Sequence, residues 1–451
     1  MTATNADTPS ARRLTHTLRA LRHRNFRLFT TGQSISLVGT WMQQVAVGWL
    51  VYRLTGSPLL LGLVSFAGLA PGFVIAPFAG VLADRYNKHR IVIATQVVMM
   101  IQALTLGTLI LTGHVTIAWI LVLMTVLGIA TGFDIPARQS FLIDMVDDRA
   151  DLPNAIALNS SIFNAARLVG PAIAGFAIAA VGEGWVIILN GVSYVAVLSG
   201  LLSMQLRPRS AQPPGGAVLK RLADGFRYAF GFPPIRALLL LVASVSLLGV
   251  PYTVLLPVIA TDVLGGGPRT LGMLMAATGF GALAGALYLA GRSTVVGLGR
   301  VIVASALTFG TALILFAFTR SVFLAIPLLA VAGFGMMAQM ASSNTVLQTV
   351  VDDDKRGRVM SFYSMAFMGT APFGSLILGA MADRIGADWA IAIGGLACLV
   401  AAIVFGRRLP VLREMVRPIY ERLGVLPEVA RGIQAATHQA TPETDDEAQH
   451  P

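Results

Sequence analysis

The chain has 451 residues, of which 55% are hydrophobic and only 12% are charged. Soluble domains carry about 25% charged residues, so this composition excludes an ordinary water-soluble fold and favours a membrane protein. The net charge of +11 comes from basic clusters beside apolar runs, without interleaved aromatic residues. Such clusters indicate membrane topology and argue against a nucleic-acid-binding protein. The one cysteine, Cys398, excludes a disulfide framework and a cysteine-based metal site.

In chain order, a polar and basic leader is followed by twelve apolar runs, each near or above the roughly 20 residues that cross a bilayer. The predicted helices cover 28–52, 58–83, 91–112, 115–138, 154–181, 184–206, 236–262, 269–291, 300–319, 322–348, 358–382 and 388–406. The leader has no cleavable signal peptide by its composition. The predicted divisions are a leader (1–27), a first six-helix bundle (28–206), a linker with an interfacial helix (207–235), a second bundle (236–406) and a tail (407–451).

The basic residues predict the orientation of the chain. Most Lys and Arg residues fall in the leader, the even-numbered loops, the helix ends beside them, and the tail, and Arg167 lies within a run. The other side holds four basic residues, Arg53, Arg269, Arg320 and Arg384. Because positive residues are retained in the cytoplasm, both termini are expected to be cytoplasmic.

Short segments of the first half recur in the second half. Pro58 to Gly62 at the start of run 2 matches Pro268 to Gly272 at the start of run 8. Two further pairs occur in the same order: Val146-Asp147-Asp148 with Val351-Asp352-Asp353, and Gly170-Pro171 with Ala371-Pro372. Their nearly constant spacing predicts an internally duplicated, pseudo-symmetric membrane protein.

The loop between runs 2 and 3 concentrates charge between two apolar runs. It contains Gly80, Asp84, Arg85, Lys88 and Arg90. Its pattern resembles the loop between helices 2 and 3 of the major facilitator superfamily, with Asn87 in place of a second Gly. The resemblance implies a cytoplasmic gate, with Asp84 and Arg85 locking that side when the outside is open and Asp84 capping the helix that starts near Gly357.

Further segments resemble the enterobactin-exporter group, also called transmembrane secretion effectors. They are Gly39-Thr40-Trp41-Met42-Gln43-Gln44-Val45-Ala46, Asp134-Ile135-Pro136-Ala137-Arg138-Gln139 and Arg356-Gly357-Arg358-Val359-Met360-Ser361. The resemblance implies an all-α membrane protein of the major facilitator fold, with twelve transmembrane helices in two bundles. It also implies an export carrier, driven by proton antiport, for siderophores, drugs or other amphiphilic molecules.

Charged residues inside the runs are few, and each costs roughly 2.5–3.5 kcal/mol at a helix centre. Asp134 and Arg138 are four residues apart, so they share a helix face and can form either a structural pair or a proton-exchanging pair. Arg167 lies deep in run 5 and is expected to face the cavity and bind an anionic substrate, or to pair with Asp134. Glu183 and Asp262, at the predicted outer edge, are expected to be solvated.

Gly170, Pro171 and Gly175 in run 5 resemble the Gly-Pro motif of antiporter helices, in which small residues allow close approach and Pro permits bending. Ala166 and Ala174 replace glycines of that motif. The alternative is an ordinary kinked packing helix.

Polar and aromatic side chains near the middle of the runs are candidates for a substrate cavity. They are Trp41, Gln43, Gln44, Asn164, Asn190, Tyr194, Tyr252, Thr253, Gln339, Asn344, Gln348 and Tyr363. For each of them, an interhelical hydrogen bond is the alternative interpretation.

The sequence contains no Walker loop and no His-rich or Cys-rich constellation. We therefore expect no enzyme activity, no cofactor and no metal site. The expected protein is a monomeric secondary transporter of the bacterial inner membrane that binds a small molecule and protons. Two alternatives stay open: a lipid or lysolipid flippase of the same fold, and a non-transporting membrane scaffold or sensor that uses its tail to bind a partner.

Overall fold

The structure is a computed structural model that describes residues 18–205, 226–292 and 294–423. The side chains of residues 76, 77 and 80–85 lie outside this description. The predicted linker is therefore described only from residue 226, and the predicted tail only to residue 423.

The described chain is built from long helical segments, which confirms the predicted all-α fold. They are α1 (Arg24–Thr55), α2 (Pro58–Arg85), α3 (Lys88–Leu111), α4 (Ile117–Phe141), α5 (Leu152–Leu202), α6 (Pro233–Val263), α7 (Pro268–Ala290), α8 (Leu298–Ala317), α9 (Val322–Val350), α10 (Asp353–Ile385) and α11 (Ala387–Arg422). Within the described residues, ten of these segments are long and apolar enough to span a membrane. The remaining segment, α1, contains 32 residues but carries several polar ones.

Two predicted runs form the single long segment α5, which is broken at Gly182. Gly182 has φ +83° and ψ 163°, far from helical values. Runs 5 and 6 are therefore separate helices joined by one residue, and all twelve predicted runs correspond to described helical segments.

Substituting Gly182 should destabilise the protein through its backbone alone. A Cβ atom at Gly182 would have no atom within 4 Å, so only the positive φ opposes a side chain. We expect Gly182→Ala to lower the free energy of unfolding by about 1–3 kcal/mol, measured as a lower melting temperature in detergent, because essentially only glycine adopts this combination of φ and ψ. Gly231→Ala is the matched control, because Gly231 has equally open space and no positive φ. A Gly182→Ala protein as stable as that control would contradict this assignment.

Segments α6 and α10 are irregular where prolines interrupt the backbone hydrogen bonds. In α6, π-helical turns at Val245–Gly249 and Ile259–Val263 flank a 3₁₀ stretch at Val250–Leu255 that contains Pro251. In α10, a π-helical turn at Met365–Gly369 precedes Pro372. A proline lacks an N–H donor and crowds the preceding turn, which explains the altered helical winding.

The helices of the first half pack mainly on one another, as do those of the second half, and two interfaces join the halves. α5 packs on α7, and α2 packs on α10. At the first interface, a Cβ atom on Gly175 would lie 2.8 Å from the carbonyl oxygen of Pro268 and 2.9 Å from the Cα of Gly272. Only glycine permits this approach of the two backbones.

The second interface repeats the same contact with the equivalent residues. A Cβ atom on Gly379 would lie 2.7 Å from the carbonyl oxygen of Pro58 and 3.0 Å from the Cα of Gly62. The Pro58-to-Gly62 segment and its counterpart, which revealed the repeat in the sequence, thus make matching contacts in the fold. We call these two contacts, Gly175–Gly272 and Gly62–Gly379, the paired glycine contacts.

Polar contacts tie the helix ends beside the paired glycine contacts, an end that we call the closed end. The hydroxyl of Tyr52 donates to the carboxylate of Asp262. The hydroxyl of Ser57 donates to Asp383 at 3.2 Å. Both bonds join the first half to the second.

The expectation that Glu183 and Asp262 are solvated is wrong for Glu183. Glu183 is buried and accepts a hydrogen bond from Nε of Arg53 at 2.6 Å. The break at Gly182 turns the chain back at this point, which brings Glu183 beside the end of α1. Asp262 is exposed, as expected, but it also accepts the bond from Tyr52.

At the other end of the first half, a charged cluster fixes the start of the described chain. Asp151 is fully buried and forms ion pairs with Arg19 and Arg22. Nε2 of His23 lies 2.8 Å from the same carboxylate. This cluster anchors the segment before α1 to the loop between α4 and α5.

Candidate functional site

Two adjoining cavities lie between the halves. The larger has a volume of about 340 Å³ and is lined mainly by helices of the first half together with α6 and α7. The smaller has a volume of about 200 Å³. Gln44, Ser65, Thr253 and Met275 line both, so we treat them as one central site.

Six of the predicted cavity residues line this central site: Thr253 comes from α6, Asn190 and Tyr194 come from α5, and the other three are Trp41, Gln43 and Gln44. All three come from α1, where they are consecutive or separated by a single residue. A helix places consecutive residues about 100° apart, so the three side chains point to different parts of the site. Gln44 is exposed towards the cavities, while Gln43 is buried against neighbouring helices.

Asp134 and Arg138 lie together at the larger cavity, as their spacing predicts. Nε of Arg138 is 3.1 Å from Oδ2 of Asp134. Asp134 is 3% exposed, and its Oδ1 accepts hydrogen bonds from Thr95 and Gln96, each at 3.0 Å. A buried carboxylate is stabilised in its charged form only by such donors and an opposite charge.

Thr95 and Gln96 were not identified from the sequence. They lie in α3, with Met99 and Gln102 one and two turns further along the same face. Polar residues that recur at helical spacing within an apolar run were the available signal. It indicates a polar face without showing what that face contacts.

A second polar network crosses three helices beside the Asp134 cluster. Nε2 of Gln43 donates to Gln102 at 3.2 Å, and Nδ2 of Asn190 donates to Gln43 at 2.6 Å. These side chains belong to α1, α3 and α5 and are all buried. Gln43 and Asn190 therefore make the interhelical hydrogen bonds that were the alternative interpretation, and both also line the larger cavity.

Arg167 lines the smaller cavity and does not pair with Asp134. The central carbon of its guanidinium lies 5.8 Å from the centroid of the Trp41 ring. Phe163, one turn earlier in α5, contacts Trp41 edge-on at 5.9 Å between centroids. Asp134 pairs with Arg138, so the alternative prediction for Arg167, that it lines the cavity, is the one that agrees with the structure.

The Gly-Pro motif of α5 packs on two different helices. A Cβ atom on Gly170 would lie 2.5 Å from Cβ of Trp41 in α1, and Gly175 makes the close approach to α7 described above. Pro171 lines the smaller cavity. Of the three residues, Pro171 lines the central site, and the two glycines permit close packing of α5 on α1 and α7.

The six other predicted cavity residues lie outside the lining of these two cavities. Tyr252 and Gln339 are fully buried and contact Thr278 at 3.1 Å and Ser343 at 3.2 Å, respectively. Tyr363 donates to the carbonyl of Met340 at 3.0 Å. Asn344 accepts from Gln348 in its own helix, and Asn164 donates to the carbonyl of Ser160 at 2.9 Å.

The predicted gate lies between α2 and α3. The side chains of Gly80, Asp84 and Arg85 lie outside the described residues. Asn87 caps α3, since its side chain accepts from the N–H of Arg90 at 3.3 Å. Lys88 begins α3, and Arg90 is exposed.

Known transporters are similar to this chain over most of its length. The chain is 27% identical to the staphyloferrin A transporter of Staphylococcus aureus over 384 residues, which are 84% of this chain and 95% of that protein. It is 27% identical over 394 residues to the multidrug efflux pump Tap of Mycolicibacterium fortuitum, covering 84% of this chain and 93% of the pump.

A solved structure shares the fold. It is a bacterial homolog of the human lysosomal transporter Spinster in an inward-facing, unoccupied conformation, with a TM-score of 0.64 and 17% identity over 89% of this chain and 98% of the other. The family described as transmembrane secretion effectors matches residues 15–421. The chain therefore belongs to the transmembrane secretion effector family of the major facilitator superfamily, whose members are transporters and not enzymes.

Proposed function

We propose that the protein exports amphiphilic small molecules across the bacterial cytoplasmic membrane by alternating access coupled to proton antiport. Relatives named as a siderophore transporter and a multidrug efflux pump support export of small molecules. The observation that carries the coupling step is the Asp134 cluster, a buried carboxylate that lines the larger cavity and contacts one arginine.

In this proposal, Asp134 alternates between two partners, Arg138 and a proton. The charged carboxylate accepts from Thr95, Gln96 and Arg138. Protonation would remove the charge that holds Arg138 in place, so Arg138 would turn towards another anion. Because both residues line the larger cavity, a change in their pairing alters the polarity of the substrate site directly.

The closed end is assigned to the outside and the cavities to the inside. This part of the proposal is supported by the distribution of basic residues, which favours cytoplasmic termini. Asp84 and Arg85, with Gly80, Lys88 and Arg90, would close the cytoplasmic side when the Tyr52–Asp262 and Ser57–Asp383 bonds open. Gly170, Pro171 and Gly175 would form the flexible and closely packed part of α5. The two bundles, 28–206 and 236–406, would move as units within a monomer.

Transport measurements test this proposal. Cells with and without the protein are loaded with a panel of siderophores, macrolides and lipophilic drugs, and their retention is followed with and without a protonophore. We expect at least one compound to be retained less in cells that carry the protein, and the protonophore to abolish the difference. Efflux that continues unchanged after the proton gradient collapses would exclude proton antiport, and equal retention of every compound would argue against export.

A further inference from the structure

Arg167 is a cation in the middle of a membrane-spanning helix, and among the described residues it has no ionic partner. It lies midway between the start of α5 at Leu152 and the break at Gly182, about four turns from each. A charge at such a depth costs roughly 2.5–3.5 kcal/mol on insertion scales, so cations there are normally paired or exposed to a water-filled cavity. Asp134, the partner that the sequence suggested for Arg167, is paired with Arg138.

The guanidinium of Arg167 lies over the Trp41 ring, with 5.8 Å between its central carbon and the ring centroid. This contact favours a cation but does not neutralise its charge. Among the described residues, no hydrogen-bond acceptor of the protein is bound to its N–H groups. Since Arg167 lines the smaller cavity, these donors are available to a ligand there.

The side chains around Arg167 indicate which other chemical groups a ligand of this site would carry. Gln44, Ser65 and Thr253 offer neutral polar groups, and all three also line the larger cavity. Met275 and Leu69 supply an apolar wall shared by both cavities. Methionine adapts its shape to bulky apolar groups, and the Trp41 ring offers a flat surface. The site therefore suits one anionic group attached to an apolar or aromatic body.

We propose that Arg167 is the anion-binding residue of the central site and that the preferred substrates are amphiphiles with a carboxylate or phosphate group. The planar guanidinium binds either oxyanion through two parallel N–H donors. The apolar body of the substrate lies against Trp41 and the apolar wall of Met275 and Leu69. This inference rests on the proposed export function, because it names the substrate class of the same site.

Equilibrium binding tests the inference without any proton gradient. The purified protein in detergent is titrated with dansyl-phenylalanine, an aromatic carboxylate, and with its neutral amide, and binding is followed by dansyl fluorescence. A second pair, lysophosphatidic acid and neutral monoacylglycerol, is measured by competition with the dansyl probe and presents a lipid phosphate. We expect the native protein to bind at least one anion about tenfold or more tightly than its neutral counterpart.

Three variants separate the charge of Arg167 from its structural contribution. Arg167→Gln should remove the anion preference while it changes the dissociation constant of the neutral amide less than about twofold, and Arg167→Lys should restore part of the preference. Arg269→Gln is the matched control, because Arg269 lies 5.9 Å from the Phe176 ring at the closed end and lines neither cavity. It should leave both constants unchanged.

The outcomes distinguish the ligand source and the two proposals. A preference confined to the carboxylate pair or to the phosphate pair supports the Arg167 site and identifies the anion. The proposal would be overturned if the native protein bound anionic and neutral probes equally well. It would also be overturned if Arg167→Gln weakened the binding of both probes equally, or if Arg269→Gln removed the anion preference as Arg167→Gln does. An intact anion preference together with protonophore-insensitive efflux would instead reject the coupling and leave the binding site standing.

Discussion

Replacing Asp134 with Asn is expected to abolish protonophore-sensitive efflux. Asn has nearly the same shape but does not exchange a proton at physiological pH. If its amide oxygen accepts from Thr95 and Gln96, as Oδ1 of Asp134 does, its NH₂ group faces the N–H donor of Arg138. Two donors then oppose one another, and Arg138 loses both its counter-charge and its hydrogen bond. The free energy of unfolding should fall by about 1–3 kcal/mol.

Proton release on substrate binding is the decisive measurement for Asp134→Asn. The native protein in weakly buffered detergent should release or take up protons when substrate is added, and the variant should not. Asp388→Asn is the control, because it removes a carboxylate that lies 3.2 Å from Arg320 at the closed end. That control should keep both the proton signal and the efflux. If Asp134→Asn still extrudes substrate with native sensitivity to the protonophore, Asp134 does not carry the proton.

Replacing Gly175 with Val is expected to open the closed end and stop transport. The Cβ alone would lie 2.8 Å from the carbonyl oxygen of Pro268, and the two methyl groups need further space. Backbone atoms do not move aside as flexible side chains do, so α5 and α7 must separate. Overpacking of this kind costs about 1–3 kcal/mol. In a two-state transporter, that cost falls on the conformation with the closed end sealed and shifts the population to the other one.

Crosslinking reports the expected shift at the distant interface. Cysteines introduced by Ser57→Cys and Asp383→Cys should crosslink readily, because the native side chains are hydrogen-bonded at 3.2 Å. Cys398, the only cysteine in the sequence, is fully buried and should not interfere. Adding Gly175→Val should lower the yield, although residues 57 and 383 belong to the α2–α10 side. Gly231→Ala, at a glycine with open space, should not. An unchanged yield with Gly175→Val would mean that the two interfaces open independently.

The sequence was sufficient to predict the helices and the repeat, because both depend on local patterns. Apolar runs of spanning length located the helices, and the match of Pro58 to Gly62 with Pro268 to Gly272 located residues that make equivalent contacts. Helical periodicity also paired Asp134 with Arg138, since residues four apart share a face. These inferences need no knowledge of which helix lies beside which.

The candidate site was predicted only in part, because its geometry depends on helix packing. Thr95 and Gln96 reach Asp134 only because α3 packs beside α4, which no local pattern specifies. Tyr252 and Gln339 are polar residues in apolar runs, just as Gln44 is, yet both are fully buried outside the cavities. Tyr252 contacts Thr278 of α7, and Gln339 contacts Ser343 of its own helix. A polar residue in such a run can face a cavity or another helix equally well, and the sequence does not distinguish the two.

The paired glycine contacts have a consequence for the speed of conformational change. Surfaces that interlock through large side chains must lift apart before they can turn, which costs dispersion energy and forces rotamers to change. At Gly175–Gly272 and Gly62–Gly379, bare main chain faces bare main chain on both sides of the molecule. One bundle can therefore roll over the other at these two points without disengaging side chains there. The barrier to reorientation should then arise from the polar bonds at the helix ends and from side-chain contacts elsewhere in the interface, such as Phe66 with Phe373.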